Sequence, residues 1–166
     1  MKAEGGSVER ESLIMAREVG PLTVPHTFKS SPARVFDAWL DPAIASRWLF
    51  ATEGGQNVRC DIEPHTGGAF VITDRRNGED VEHRGTYLEI DRPRRIVFTF
   101  SVPKYSSVET TVTLELAEAG AGCELTLVHE GVLPEWASQT EQGWRDLLAR
   151  LEEVVRRAEP NDAGAS

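Results

Sequence analysis

From Val58 to His129 the apolar residues keep a period of two, and from Trp144 to Val155 they switch to a helical period. That change of rhythm limits the fold more than any other feature. Val58, Cys60 and Ile62 alternate with Arg59, Asp61 and Glu63. Ala69 to Thr73 is apolar, Asn77-Gly78 marks a hairpin, and Arg84 to Ile90 reads as a further strand. Ile96, Phe98 and Phe100 share a face. So do Val108, Thr110, Val112, Leu114 and Leu116, and then Cys123, Leu125, Leu127 and His129. Six short strands joined by tight turns predict an antiparallel meander. Trp144, Leu147, Leu148, Leu151, Val154 and Val155 then form one apolar stripe. A curved sheet is the only surface in the chain large enough to receive it.

The signals at the start of the chain are local. Leu22 to Lys29 reads as a strand, with Pro25 requiring an edge or a bulge. Ser31-Pro32 and Asp41-Pro42 each pair a capping side chain with a proline suited to the first helical position. Two short helices in tandem are therefore expected. Before the long helix, Ser138-Gln139-Thr140-Glu141 has the form of a capping box. Asp146–Arg150, Glu152–Arg156 and Glu153–Arg157 are spaced as i,i+4 pairs. We expect one domain over residues 20–158, a flexible N-terminal extension over 1–19 and a disordered tail over 159–166.

Charge and composition narrow the partners. The 166 residues carry 18 Lys+Arg against 27 Asp+Glu, a net charge of −9. Such a balance argues against nucleic acid and against anionic membrane, both of which need clustered cations. No signal-peptide-like or membrane-spanning run is evident, and Cys60 and Cys123 form neither a CxxC pair nor a disulfide framework. A reducing, cytoplasmic setting with two buried thiols is expected. The four histidines, His26, His65, His83 and His129, lie at no metal-binding spacing. No Gly-x-Ser-x-Gly turn and no phosphate-binding loop is present. Neither a metal, a cofactor nor a catalytic residue is therefore assigned.

Several stretches carry a resemblance. They are Ser31-Pro32-Ala33-Arg34-Val35-Phe36-Asp37-Ala38-Trp39 with Asp41-Pro42, then Trp48, then Asp61-Ile62-Glu63-Pro64-His65-Thr66-Gly67-Gly68. Gly85-Thr86-Tyr87-Leu88-Glu89-Ile90, Pro93 before Arg95-Ile96-Val97-Phe98-Thr99-Phe100, and Gly143-Trp144 with Leu147 and Leu151 complete the set. In this order they resemble the stand-alone relatives of the C-terminal domain of the Hsp90 ATPase activator, in the START-like (SRPBCC) superfamily. The likeness runs from about Leu22 to Ala158. His65 stands where the family often has another basic residue, and Arg47 where a tryptophan is frequent.

The resemblance implies an α+β helix-grip fold: a curved antiparallel sheet of six to seven strands wrapped around a long C-terminal helix, with two short helices after strand 1. It also implies a cavity between sheet and helix. The expected lining is Trp48, Phe70, Tyr87, Phe98, Phe100, His129, Trp136 and Trp144, with Leu133-Pro134-Glu135-Trp136 as a lid. The expected activity is non-enzymatic binding of a small hydrophobic ligand. A cyclase or dehydratase is the alternative, and it requires ionisable residues such as Arg75, Tyr87, Glu89 and His129 to converge. Asp61, Glu63 and Glu130 are further acidic candidates, read as solvated. A co-chaperone-like interaction module is a third reading, suggested by the family name, and homodimerisation through a sheet edge is open.

Overall fold

The computed structural model describes residues 20–165, with side chains to residue 157. The segment read as an N-terminal extension, 1–19, lies outside the described residues. The chain runs β1 (Leu22–Phe28), α1 (Pro32–Leu40), α2 (Pro42–Ala45), β2 (Gln56–Ile62), β3 (Ala69–Arg76), β4 (Glu79–Asp91), β5 (Arg95–Phe100), β6 (Thr110–Ala119), β7 (Gly122–Glu130) and α3 (Ala137–Ala165). Seven strands form one sheet in the order β1-β7-β6-β5-β4-β3-β2, every neighbouring pair antiparallel. Only β1 leaves the meander. It returns to pair with β7 and so becomes an edge, which is where Pro25 is tolerated.

The local signals act as expected. Ser31 Oγ accepts from the Arg34 N–H at 3.3 Å, and Asp41 Oδ1 from the Ala43 N–H at 3.0 Å. Asn77 and Gly78 take φ of 53° and 78°, the two left-handed residues that a tight hairpin requires. The apolar stripe of α3 buries Trp144, Leu148, Leu151 and Val155, while α1 buries Val35, Phe36 and Trp39 into the same core. Edge strand and helix are also tied by His26 Nε2 and Glu152 Oε1, 2.7 Å apart.

Four details differ from the sequence reading. β6 begins at Thr110, so Val108 is outside the strand and exposed. Ser138 caps nothing, because a 3-10 turn at Pro134–Trp136 runs directly into α3 and supplies its first turn. Glu152 is drawn to His26, leaving Arg156 beside Glu153. Helical backbone also continues to Ala165, across the segment read as a tail; Pro160 removes one backbone bond without ending the helix. Among the described residues no helix is long and apolar enough to cross a membrane.

Strand β4 is thirteen residues long and serves two neighbours. It pairs with β3 up to Thr86 and with β5 from Tyr87. At the handover, Gly85 lies against the Phe70 ring and the Thr99 carbonyl. The sheet there is packed through a backbone with no side chain, which draws strand β5 and the aromatic core into contact.

Candidate functional site

The inner side of the sheet bears two spaces, an inner one against α1 and an outer one against α3. Inside, Trp39, Leu40, Phe70, Tyr87, Ile96 and Phe98 surround a hollow of only about 10 Å³. A single water needs about that much, so this part of the interior is filled by its own aromatic rings. Outside, an open cleft of about 760 Å³ runs between the first turns of α3 and the loop after α2. Phe50, Phe100, Trp136 and Trp144 line it, with Arg76 and His83 contributed from the sheet. A side pocket of about 200 Å³ adjoins it, sharing Phe100, Val102, Tyr105, Trp136 and Thr140.

Phe50 forms the partition, since it borders both the hollow and the cleft. Its φ is 58°, a left-handed backbone that is uncommon for a bulky residue. Rings hold it there. His83 stacks on it at 4.5 Å with planes 2° apart, and Phe100 stacks at 5.1 Å. The Arg76 guanidinium donates to the Phe50 carbonyl at 3.4 Å. Arg76 is itself held by buried Asp74, its Nε donating to Oδ2 at 2.9 Å, and the Thr52 hydroxyl donates to the same oxygen at 2.7 Å. Gly55 permits this, because a Cβ there would lie 2.8 Å from both carboxylate oxygens.

Beneath the side pocket a second polar chain joins helix to sheet. The Trp144 indole N–H donates to His129 Nδ1 at 3.0 Å. That bond makes Nδ1 an acceptor, so the neutral ring carries its proton on Nε2 and donates to Thr110 Oγ1 at 2.7 Å. Thr110 in turn donates to the Phe100 carbonyl at 3.1 Å. Every polar atom of the imidazole is engaged. Burial pushes His129 down to about 4, and burial likewise pushes His83 down to about 4, opposed by its bond to the Ile72 carbonyl.

The expected lining residues therefore separate. Phe100, Trp136 and Trp144 line the cleft, and His129 lines the side pocket. Phe70, Tyr87 and Phe98 surround the inner hollow instead. Trp48 lines neither; its indole donates to the Ala38 carbonyl at 3.1 Å and meets Trp39 edge-on, which makes it a core residue. The alternation in β3 that places Phe70 and Ile72 inward also carries Asp74 and Arg76 inward, and Val81 and Gly85 bracket His83 in the same way. These were the available signals for the polar floor of the cleft. Phe50 had only its aromatic character to mark it.

The four residues expected to converge in a cyclase or dehydratase, Arg75, Tyr87, Glu89 and His129, are not brought together. Arg75 pairs with Asp80 and Glu89 with Arg95 on the exterior, while Tyr87 is in the core with its hydroxyl pushed up by burial. Asp61, Glu63 and Glu130 are exposed. Burial pushes both free thiols, Cys60 and Cys123, up to about 11. Among the described residues no group of three or more His, Cys, Asp and Glu is placed to hold a metal ion.

A seven-stranded antiparallel sheet gripping one long helix, with a cleft between them, defines a helix-grip domain of the START-like class. The family model for activator of Hsp90 ATPase homolog 1-like protein matches residues 29–156. The chain belongs to that family. Its structure is similar to protein CV1439 from Chromobacterium violaceum, at TM-score 0.75 and 25% identity, covering 82% of this chain and 96% of that one. It is similar also to the AHSA1-like protein from Aeromonas hydrophila, at TM-score 0.72 and 18% identity, over 84% and 94% of the two chains. A third similar structure is SA2116 from Staphylococcus aureus, a protein of unknown function, at TM-score 0.75 and 16% identity, over 84% and 95%. No curated protein matches the chain.

Proposed function

We propose that this protein is a non-catalytic binder of a small, largely apolar molecule, and that the ligand occupies the outer cleft along α3 rather than the filled interior. The observation that carries this reading is Gly143. It stands within α3 on the cleft wall, and a Cβ there would meet nothing within 4 Å. Glycine costs a helix interior roughly 0.5–1 kcal/mol relative to alanine. Here that cost purchases no close packing and no turn; it keeps the wall low between Thr140 and Leu147. The cleft volume of about 760 Å³ suits a small-molecule site, as does the mixture of aromatic walls with a few polar groups.

Two substitutions test it. Gly143→Ala is expected to raise the melting temperature by a few degrees, since it gains helix propensity in open space. Gly143→Trp is expected to fold and to fill the cleft. Nile red, a neutral apolar dye, should bind the natural protein at one site and bind Gly143→Trp at least about tenfold more weakly, a loss of about 1.4 kcal/mol. Unchanged dye binding by a folded Gly143→Trp protein would place the site elsewhere and end this reading.

A further inference from the structure

The cleft differs in character between its two ends. Near the start of α3 it merges with the side pocket, where Val108, Val132, Leu133 and Trp136 provide an apolar lining. Ten residues further along the helix, about 15 Å at the α-helical rise, Arg150 lines the opposite end. Arg76 lines the same cleft from the sheet side. The side-pocket end is therefore apolar, and Arg76 and Arg150 both line the cleft outside it.

Neither arginine has all of its guanidinium donors engaged among the described residues. Arg76 commits Nε to Asp74 and Nη2 to the Phe50 carbonyl, which fixes the plane of the guanidinium and leaves Nη1 without a partner among the described residues. Arg150 is half-buried and makes no ion pair among the described residues. Two acids, Glu53 and Asp146, also line the cleft. Both are exposed, and neither lies within ion-pair distance of Arg76 or Arg150; Asp146 instead accepts from Gln142 at 2.9 Å. Arg76 is already paired with Asp74 and has only Nη1 open, whereas the whole Arg150 fork is without an ion pair among the described residues, and a planar carboxylate is the group that fork geometry matches.

We propose that the ligand is a carboxylate-headed amphiphile, its head seated between Arg76 and Arg150 and its apolar body lying along α3 towards the side pocket beneath Trp136. This rests on the reading of the cleft as a binding site and adds the chemical class of the occupant. Fixing Arg76 in advance lowers the ordering cost of binding. The exposed acids at the rim act against amphiphiles of the same length that carry a cation.

Three probes with one chain length test it: dodecanoate, 1-dodecanol and dodecyltrimethylammonium, titrated at pH 7.5 below their aggregation limits by tryptophan fluorescence. Dodecanoate is expected to bind at least about tenfold more tightly than the alcohol, and the cation more weakly than either. Arg150→Met removes the charge and keeps the apolar stem. It is expected to abolish the preference of acid over alcohol, lowering the ratio of the two affinities at least about tenfold. Arg76 is not the residue to substitute, because its loss would leave Asp74 buried and unpaired. Equal binding of acid and alcohol overturns the carboxylate assignment and leaves the apolar cleft standing. A preference that survives in Arg150→Met also overturns it. Failure of all three probes to bind overturns the cleft reading itself, and the assignment with it.

Discussion

Gly85→Ala is expected to destabilise the fold by about 3 kcal/mol or more, lowering the melting temperature by roughly 10 °C or preventing folding. One methyl group has this effect because no space exists for it. A Cβ at residue 85 would lie 1.8 Å from the Thr99 carbonyl oxygen and 2.6 Å from the Phe70 ring. The oxygen belongs to the backbone of β5, so it cannot rotate away. Moving it would disturb the Arg84–Ser101 bridge, whose two N–H···O bonds are 3.0 and 2.9 Å long. The Phe70 ring is no freer, held by Phe50 at 6.2 Å, Tyr87 at 5.5 Å and Phe98 at 5.4 Å. Urea unfolding of the purified variant checks this. A loss under about 1 kcal/mol would mean that the strands separate more easily than their packing implies. Gly143→Ala is the matched control, since the same methyl group there enters open space and should stabilise.

The contrast between these glycines shows what was legible in the sequence. Strand rhythm, hairpin residues and the stripe of α3 depend on near neighbours in the chain, so the order of elements and the gripping helix could be read directly. Gly85 appeared only as one residue in a motif, because its two constraints come from residues 70 and 99. The aromatic inventory was readable as a set and not as an arrangement. Period two put Phe98 and Phe100 on one face, but whether a ring on that face fills the interior or borders the cleft depends on how far along the sheet it sits from α3. Trp48 went astray for a related reason: its indole is satisfied by the Ala38 carbonyl, a bond between adjacent helices that no periodicity reports. Asp74 and Arg76 were passed over because charged residues on a strand ordinarily face water. Here the ion pair, the Thr52 hydroxyl and the Phe50 carbonyl make their inward position tolerable.

Acidification from pH 7 to pH 5 is expected to cost the fold about 4 kcal/mol through two histidines alone. His83 and His129 are each depressed to about 4 in the folded state, in both cases chiefly by burial, against an ordinary value of about 6.5 in the unfolded chain. The unfolded chain therefore takes up these protons over a range where the folded protein refuses them. Their contribution is complete above about pH 6.5, declines as the pH falls, and is gone below about pH 4. At pH 5 each histidine has cost about 2 kcal/mol. That is a large share of the roughly 5–15 kcal/mol that stabilises an ordinary domain. The chemistry at the two sites explains the refusal. A proton on His129 Nδ1 would point at the Trp144 N–H, setting donor against donor and uncoupling α3 from β7. A charge on His83 would be buried away from water, with Arg76 adding repulsion; the Ile72 carbonyl and Asp74 only partly offset this. Melting temperatures measured at half-unit steps from pH 7.5 to 4.5 check the total, and the slope identifies the source. His129→Asn is expected to flatten the slope between pH 6.5 and 5 by about half, whatever it does to stability at neutral pH, because one of the two titrating groups is gone. A slope unchanged by His129→Asn would place the acid sensitivity outside the Trp144–His129–Thr110 chain. In the folded protein that chain is lost only near pH 4, so ligand affinity is expected to hold over the range from pH 6.5 to 5 in which stability falls.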